Sequence, residues 1–136
     1  MDFAGINYTA VFVAALAGFF VGWPWYMMFG KSWAKALGMD PDNPPKPGPK
    51  PFIVLGFCLA VMVYVLAGFI GHLGQGQVTF SNGVISGLFA WAGFVVTPMA
   101  VNYTFQGRPL VLTLIDAGHF LIVLIVMGAI IGWFGV

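Results

Sequence analysis

The chain alternates between four long apolar stretches and shorter polar ones. The apolar stretches are residues 8–29, 52–73, 84–103 and 110–134. A helix needs about 20 apolar residues to cross the roughly 30 Å of hydrocarbon in a bilayer, and each stretch is long enough. None of them alternates strictly between apolar and polar residues over about ten positions, as a membrane β-strand would. The pattern predicts an all-α fold in which residues 1–136 form a single integral membrane bundle of four transmembrane helices.

The composition excludes the main alternatives to a membrane protein. Of the 136 residues, 60% are hydrophobic and 7% are charged, whereas soluble domains have roughly 25% charged residues. Lipid is therefore the expected solvent, because water-exposed apolar patches of this size are rare on monomers. With a net charge of +1 and no basic run on a tail, nucleic-acid binding has no electrostatic basis. The one cysteine, Cys58, cannot form an internal disulfide or a cysteine-rich zinc site.

The segment between the first two predicted helices, residues 30–51, is the longest loop. It contains six of the nine prolines, and such a run favours an extended, semi-rigid conformation. At its start, residues 31–38 predict a short, separate turn of helix at the membrane surface, capped by Ser32 and ended by Gly38. Trp33 would then face the lipid headgroups.

Basic residues are concentrated at one end of the predicted bundle. Four helices place the first and third loops on the same side, and all five basic side chains fall in those two loops. The positive-inside rule assigns that side, with the proline-rich loop, to the cytoplasm, so both termini are expected outside, in the periplasm. The residues predicted at the cytoplasmic interface are Lys31, Trp33, Lys35 and Arg108.

Small residues recur at a spacing of four and indicate where helices pack. In lipid, apolar faces gain little by meeting, so close approach through small residues drives helix association. Such residues are Ala10, Ala14, Gly18 and Gly22 in the first helix, Gly83 and Gly87 in the third, and Gly128 and Gly132 in the fourth. Packing inside the bundle is the ordinary role of such stripes. The alternative is that the stripe of the first helix joins neighbouring copies of the chain.

One acidic residue, Asp116, lies inside a predicted membrane helix, and His119 follows it on the same helix face. A carboxylate in the membrane is costly unless it is paired, hydrogen-bonded or protonated. Pro24 and Pro98 each remove one backbone hydrogen bond and are predicted to interrupt their helices at about the same depth as Asp116. Thr97 is expected near this level too. The cytoplasmic third of the bundle would therefore contain a layer of polar side chains and helix interruptions.

Two interpretations of this layer remain open. In the first, Asp116 and His119 form a small polar cavity that relays protons or binds a cation. In the second, Asp116 accepts hydrogen bonds from neighbours such as Thr97, Tyr26 or Asn102 and holds the bundle together. We favour the second, because the intramembrane acid has no duplicated partner in the sequence.

Catalytic and cofactor-binding motifs are not recognisable in the sequence. It has no phosphate-binding glycine loop, nucleophile elbow or pair of catalytic carboxylates. The two histidines, His72 and His119, are predicted at different depths, which argues against a shared metal site. We therefore expect no enzyme, no cofactor and no metal.

Two parts of the chain resemble the signatures of a bacterial membrane family, domain of unknown function 1761. The first is WYMMFGKSWAKALG (residues 25–38), and the second is NYTFQGRP (102–109) followed by LIDAG (114–118). The proline-rich loop and Pro24 depart from the usual pattern. The resemblance implies a multi-pass protein of the bacterial inner (plasma) membrane and carries no activity or substrate with it.

These features predict a small accessory or scaffold subunit, in contact with membrane lipids, that acts as an oligomer or within a larger membrane complex. The alternative is a small channel or proton-coupled transporter that uses Asp116 and His119. A third possibility, an intramembrane enzyme or cofactor binder, would require a bound chromophore or metal.

Overall fold

The computed structural model describes residues 5–135, and in this part of the chain it contains helices and no strands. The helices are α1 (Tyr8–Ala36), α2 (Pro49–Gly71), α3 (Phe80–Phe94), α4 (Val96–Phe105) and α5 (Leu110–Phe134). Because α3 and α4 follow each other directly, they form a single apolar span, Phe80–Phe105. Four helical spans are thus long and apolar enough to cross a membrane, which confirms the all-helical prediction.

Helix α1 is longer than the sequence predicted. Asn7 caps its start by accepting a hydrogen bond from the backbone N–H of Ala10 (3.1 Å), and the helix continues to Ala36. The prediction of a separate interfacial helix capped by Ser32 was wrong, because no residue between Phe29 and Ala36 interrupts the backbone hydrogen bonds. At about 1.5 Å per residue α1 is about 43 Å long, more than the hydrocarbon core requires.

Both turns at the basic end of the bundle begin with the same helix-ending motif. After α1, Gly38 adopts a φ of +75° and the N–H of Met39 donates to the carbonyl of Ala34 (2.9 Å). After α4, Gly107 adopts a φ of +66° and the N–H of Arg108 donates to the carbonyl of Tyr103 (2.9 Å). This is the Schellman arrangement, in which glycine accepts a left-handed conformation without strain. The role predicted for Gly38 as a helix end is therefore correct.

The first loop is held by polar contacts near its start. The ammonium group of Lys31 pairs with Asp42 at 3.1 Å, with both side chains exposed. The backbone N–H of Asp42 donates to the carboxylate of Asp40 (3.0 Å), which lowers the pKa of the Asp40 side chain. The extended proline run follows and ends at α2, which begins with Pro49, a position where a missing N–H costs the helix nothing.

The third span breaks at Val95, three residues before Pro98. Proline cannot donate a backbone hydrogen bond, and its ring clashes with the carbonyl four residues earlier, which here belongs to Phe94. The break therefore falls where Pro98 predicts it. The span also begins earlier than residue 84, because the Thr79 hydroxyl accepts a hydrogen bond from the backbone N–H of Asn82 (3.2 Å) and caps α3.

Pro24 does not break α1, contrary to the prediction. The helix is continuous through Pro24, although the carbonyl of Phe20 loses its usual donor. The two residues after Pro24, Trp25 and Tyr26, both form side-chain hydrogen bonds to α5. These bonds fix the segment against its neighbour and offset the loss of one backbone hydrogen bond.

Helix α5 is the central helix of the bundle and packs against all four other helices. It crosses α3 at glycines: a Cβ added to Gly83 or Gly87 would overlap the backbone carbonyl of Gly128 or of Leu124, and one added to Gly132 would overlap the carbonyl of Thr79. The two backbones are therefore in direct contact, as expected where small residues replace side chains at a crossing.

The small-residue stripe of α1 lies against α5 inside the same chain. Ala14 is fully buried in the core, and a Cβ added to Gly18 would lie 2.6 Å from the Met127 methyl carbon. Ala10 is also buried. Gly22 continues the stripe and faces His119. The stripe is thus already covered within one molecule.

Helix α2 closes the bundle with aliphatic side chains. Its buried residues are Leu59, Val63, Leu66, Ala67 and Ile70, which join the α1 and α5 residues of the core. Its outer surface and that of α3 carry large exposed apolar side chains, among them Phe57 and Phe89. A chain surrounded by lipid can tolerate so many apolar side chains on its outer surface, whereas a monomer in water rarely can.

Candidate functional site

Asp116 lies where three of the four spans meet. Its side chain is 8% exposed, and each carboxylate oxygen accepts one hydrogen bond from a tyrosine. The hydroxyl of Tyr26, on α1, donates to Oδ1 at 2.6 Å, and the hydroxyl of Tyr103, on α4, donates to Oδ2 at 2.7 Å. We call these three residues the carboxylate lock, because one carboxylate on α5 connects α5 to both α1 and α4.

Local structure explains how the two tyrosines reach the same carboxylate. Tyr103 lies in the last turn of α4, and the tight turn at Gly107 reverses the chain so that α5 begins at Leu110. Asp116 is six residues further, about 9 Å along α5, which places it beside the end of α4. Tyr26 reaches the same level from α1, which packs along α5.

Two tryptophans bond to the backbone on either side of Asp116. The indole N–H of Trp25, on α1, donates to the carbonyl of Ile115 (2.9 Å), and that of Trp91, on α3, donates to the carbonyl of Ala117 (2.7 Å). A carbonyl oxygen has two lone pairs, so it can accept an indole N–H as well as its helical N–H. Gly118 makes room for this contact, since a Cβ there would lie 2.7 Å from the Trp25 ring.

His119 lies beside the carboxylate lock and is 3% exposed. Neither of its ring nitrogens has a hydrogen-bond partner. Its ring packs against those of Tyr26 (5.2 Å between centroids) and Phe120 (4.8 Å), and Nε2 faces Gly22, where an added Cβ would be 3.3 Å away. A buried polar group without a hydrogen-bond partner costs about 1–3 kcal/mol. In this layer, His119 is the buried side chain that bears this cost.

Charge compensation at Asp116 does not come from lysine or arginine. In the part of the chain that the structure describes, the ion pair is Lys31–Asp42 at the surface. Lys35 and Arg108 are also exposed and form no ion pair with Asp116. The carboxylate is instead surrounded by hydrogen-bond donors that carry no charge.

The hydrogen bonds to the Asp116 carboxylate come from the two tyrosines and not from Thr97 or Asn102, although the sequence suggested both as its partners. Both are exposed, and the Thr97 hydroxyl donates to the carbonyl of Gly93 on its own span (2.7 Å). Tyr103, the residue after Asn102 on α4, reaches the carboxylate in their place. Tyr26 does contact Asp116, as suggested.

Sequence reasoning missed Tyr103, and a signal for it was available. Tyr103 lies in the last turn of its span, and a phenol suits the membrane interface because it has an apolar ring and a polar tip. The sequence placed Trp33 among lipid headgroups, but its ring is half-buried and meets that of Tyr26 edge-on (6.0 Å between centroids). It therefore supports the carboxylate lock from the side of α1.

Metal-ligating side chains do not gather here in sufficient number. Among residues 5–135, no group of three or more His, Cys, Asp or Glu side chains comes together. Asp116 and His119 are two such residues on one helix, and a tetrahedral metal site needs more ligands than they supply.

Away from this layer, the molecule has an apolar groove that is open at the protein surface. Its volume is about 330 Å³, and it lies where α3 ends, between α2 and α3, with α5 at its base. Val65 and Phe69 line one side, Phe94 and Val95 the other. All the side chains that line the groove are apolar, so it suits a hydrocarbon chain better than a hydrophilic ligand.

A family described as a protein of unknown function (DUF1761) matches residues 9–132. The chain belongs to this family. The DUF1761 match includes all four spans, both tyrosines of the carboxylate lock, and His119. No curated protein and no solved structure matches the chain.

Proposed function

We propose that this DUF1761 protein is an accessory or scaffold subunit of a bacterial inner membrane, acting as an oligomer or within a larger membrane complex. The carboxylate lock supports this proposal most directly. A buried carboxylate whose two oxygens each accept a phenol from a different span holds α1, α4 and α5 in one arrangement. Such an arrangement suits a protein that presents a fixed surface to its neighbours.

The proposed orientation places the basic end of the bundle in the cytoplasm. Lys31 and Lys35 are exposed in the last turns of α1, and Arg108 is exposed in the turn before α5. The remaining lysines, Lys46 and Lys50, lie in or next to the proline-rich loop at this same end. The positive-inside rule then puts both ends of the chain in the periplasm.

The outer face of α2 is the surface that we propose for self-association. The small-residue stripe of α1 is covered by α5 and is not free for a second copy. On α2, a Cβ added to Gly56 would have no neighbour within 4 Å, Ala60 is exposed, and Phe57 between them is 71% exposed. Small residues four apart on an uncovered membrane helix allow close approach of another helix.

A single thiol at position 60 tests this face, because Ala60 is exposed on α2, whereas Cys58 is two residues from both Gly56 and Ala60 and lies on another side of the helix. We expect mild oxidation of membranes to cross-link the full-length double variant Cys58→Ser, Ala60→Cys into dimers through the new thiol. As a matched control, the thiol is placed at an exposed position on α1 in the double variant Cys58→Ser, Leu16→Cys, which should cross-link much less. Molar mass in mild detergent provides a second readout. A monomer that copurifies with no native protein would contradict the scaffold proposal.

A second candidate is a small channel or proton-coupled transporter that uses Asp116 and His119. It is favoured by one observation: an acid and an unpartnered imidazole are buried three residues apart on the same helix. For this candidate, Asp116→Asn should abolish proton flux in liposomes. Flux that is absent from the wild type, or that is unchanged in the variant, would eliminate it.

A further inference from the structure

The imidazole of His119 is buried without any partner from the polypeptide. Its two nitrogens lie among Gly22, Tyr26 and Phe120, and neither forms a hydrogen bond. Buried side-chain nitrogens and oxygens in folded proteins nearly always have a partner. A neutral imidazole has one N–H to donate and one lone pair to share. The ring therefore retains its full capacity to bind something that the chain does not supply.

Asp116 lies three residues earlier on the same helix face and can still accept further hydrogen bonds. An ionised carboxylate can accept about four hydrogen bonds, and two are made, from Tyr26 and Tyr103. Both donors are neutral, so the negative charge stays uncompensated in an apolar layer. A carboxylate held in a membrane by neutral donors alone can still gain from a partner of opposite charge.

The helices packed around this pair supply no competing base. Helix α1 contributes Tyr26, and its lysines, Lys31 and Lys35, are exposed at its end. Helix α4 contributes Tyr103, and α3 has no titratable side chain in its sequence. The titratable side chains within α2, Cys58 and Tyr64, are exposed on its outer surface. His119 is thus the group placed to compensate the charge of Asp116.

We propose that Asp116 and His119 form a binding site for a single proton, which the imidazole takes up and the carboxylate stabilises. Uptake adds one H⁺ from solvent to the free ring nitrogen and changes the net charge of the pair from −1 to zero. The protonated ring then donates to a free lone pair of Asp116, directly or through one water. This inference goes beyond the scaffold function and does not depend on transport, because a proton can bind here without crossing the membrane.

The test is a pH titration of the full-length protein in lipid bicelles, with ¹⁵N-labelled histidine read by NMR. His72 is exposed near the opposite end of the bundle and serves as an internal control. The protein is titrated from about pH 4 to 9, the range around an ordinary histidine, and we expect His119 to take up one proton as the pH falls. In Asp116→Asn the midpoint should fall by about 1 pH unit or more, the effect of losing an opposite charge nearby, while the midpoint of His72 stays unchanged.

A second variant keeps the test decisive if Asp116→Asn fails to fold. In His119→Gln the lock keeps its carboxylate and loses the compensating charge, so the Asp116 carboxyl should protonate at a higher pH than in the wild type. The infrared band of ¹³C-labelled aspartate reports this change. A His119 ring that stays neutral over the whole range would overturn the proposal. So would a folded variant in which the remaining partner titrates as in the wild type.

Discussion

Asp116 is stabilised in an apolar layer by two phenols rather than by a cation. Its carboxylate oxygens accept from Tyr26 and Tyr103 at 2.6 and 2.7 Å, and short hydrogen bonds to an ionised group are the strong ones. The indoles of Trp25 and Trp91 bond to the backbone beside it. Four aromatic residues from three other helices thus converge on a few residues of α5.

Removing either phenol should weaken the bundle. Tyr26→Phe and Tyr103→Phe each delete one hydrogen bond to a charged group, worth about 1.5–3 kcal/mol of unfolding free energy. Reversible unfolding of the purified protein in mixed micelles measures this loss. Tyr8→Phe is the control, since Tyr8 is exposed at the start of α1, and it should change stability by less than about 0.5 kcal/mol. Equal stability of all three variants would show that the lock contributes nothing.

At this scale the sequence predicted part of the site. The rarity of acids in membrane helices singled out Asp116, and the shared depth of Tyr26 suggested it as a donor. Thr97 and Asn102 were suggested as possible polar neighbours. Approximate depth follows from residue number, but the direction in which a side chain points depends on how its helix is rotated about its own axis. A single sequence does not contain this angle.

The elements of the fold were more predictable than the contacts between them. Lipid leaves a spanning segment no partner for its amides except its own backbone, so apolar length alone predicted four helices. Two errors concern helix continuity, at Ser32 and at Pro24. The helix continues through Ser32, and Ala34 just after it is fully buried. At Pro24 the local signal for a break was overridden by contacts with α5, because Trp25 and Tyr26 bond to α5 directly after the proline.

Glycine substitutions at the crossing of α3 and α5 should separate the two helices. In Gly83→Ala or Gly128→Ala the added methyl would overlap the backbone of the facing helix, and because backbone cannot rotate aside, we expect a loss of at least about 2 kcal/mol in unfolding free energy. Gly68→Ala is the matched control on α2, with no atom within 4 Å of its added Cβ. It should gain up to about 1 kcal/mol from helix propensity. A similar change in all three would contradict direct backbone contact.

For the whole molecule, the distribution of charge and the even number of spans predict one orientation. All five basic residues lie in or beside the first and third loops, while the second loop carries none. The proline-rich loop and the turn at Gly107 would therefore face the cytoplasm, and the turn between α2 and α3 the periplasm. The lock then lies nearer the cytoplasmic surface.

This orientation can be measured by thiol labelling in intact cells. In a Cys58→Ser background, we expect Gln75→Cys, in the second loop, to react with a maleimide that does not cross membranes. Asn43→Cys, in the proline-rich loop, should react only after the cells are opened. Both native residues are exposed, so accessibility differs by membrane side alone. The reverse labelling pattern would invert the proposed topology.

The break at Val95 has a mechanical consequence. Helix α4 contains no buried residue, and the interrupted backbone separates it from α3. At its near end α4 is held to α3 by the Thr97 hydroxyl, which donates to the carbonyl of Gly93, and at its far end by the turn into α5 and by the phenol of Tyr103. If Asp116 stopped accepting that hydrogen bond, α4 would lose one of its two side-chain anchors, so a change at one carboxyl oxygen would be expected to shift the helix as a unit.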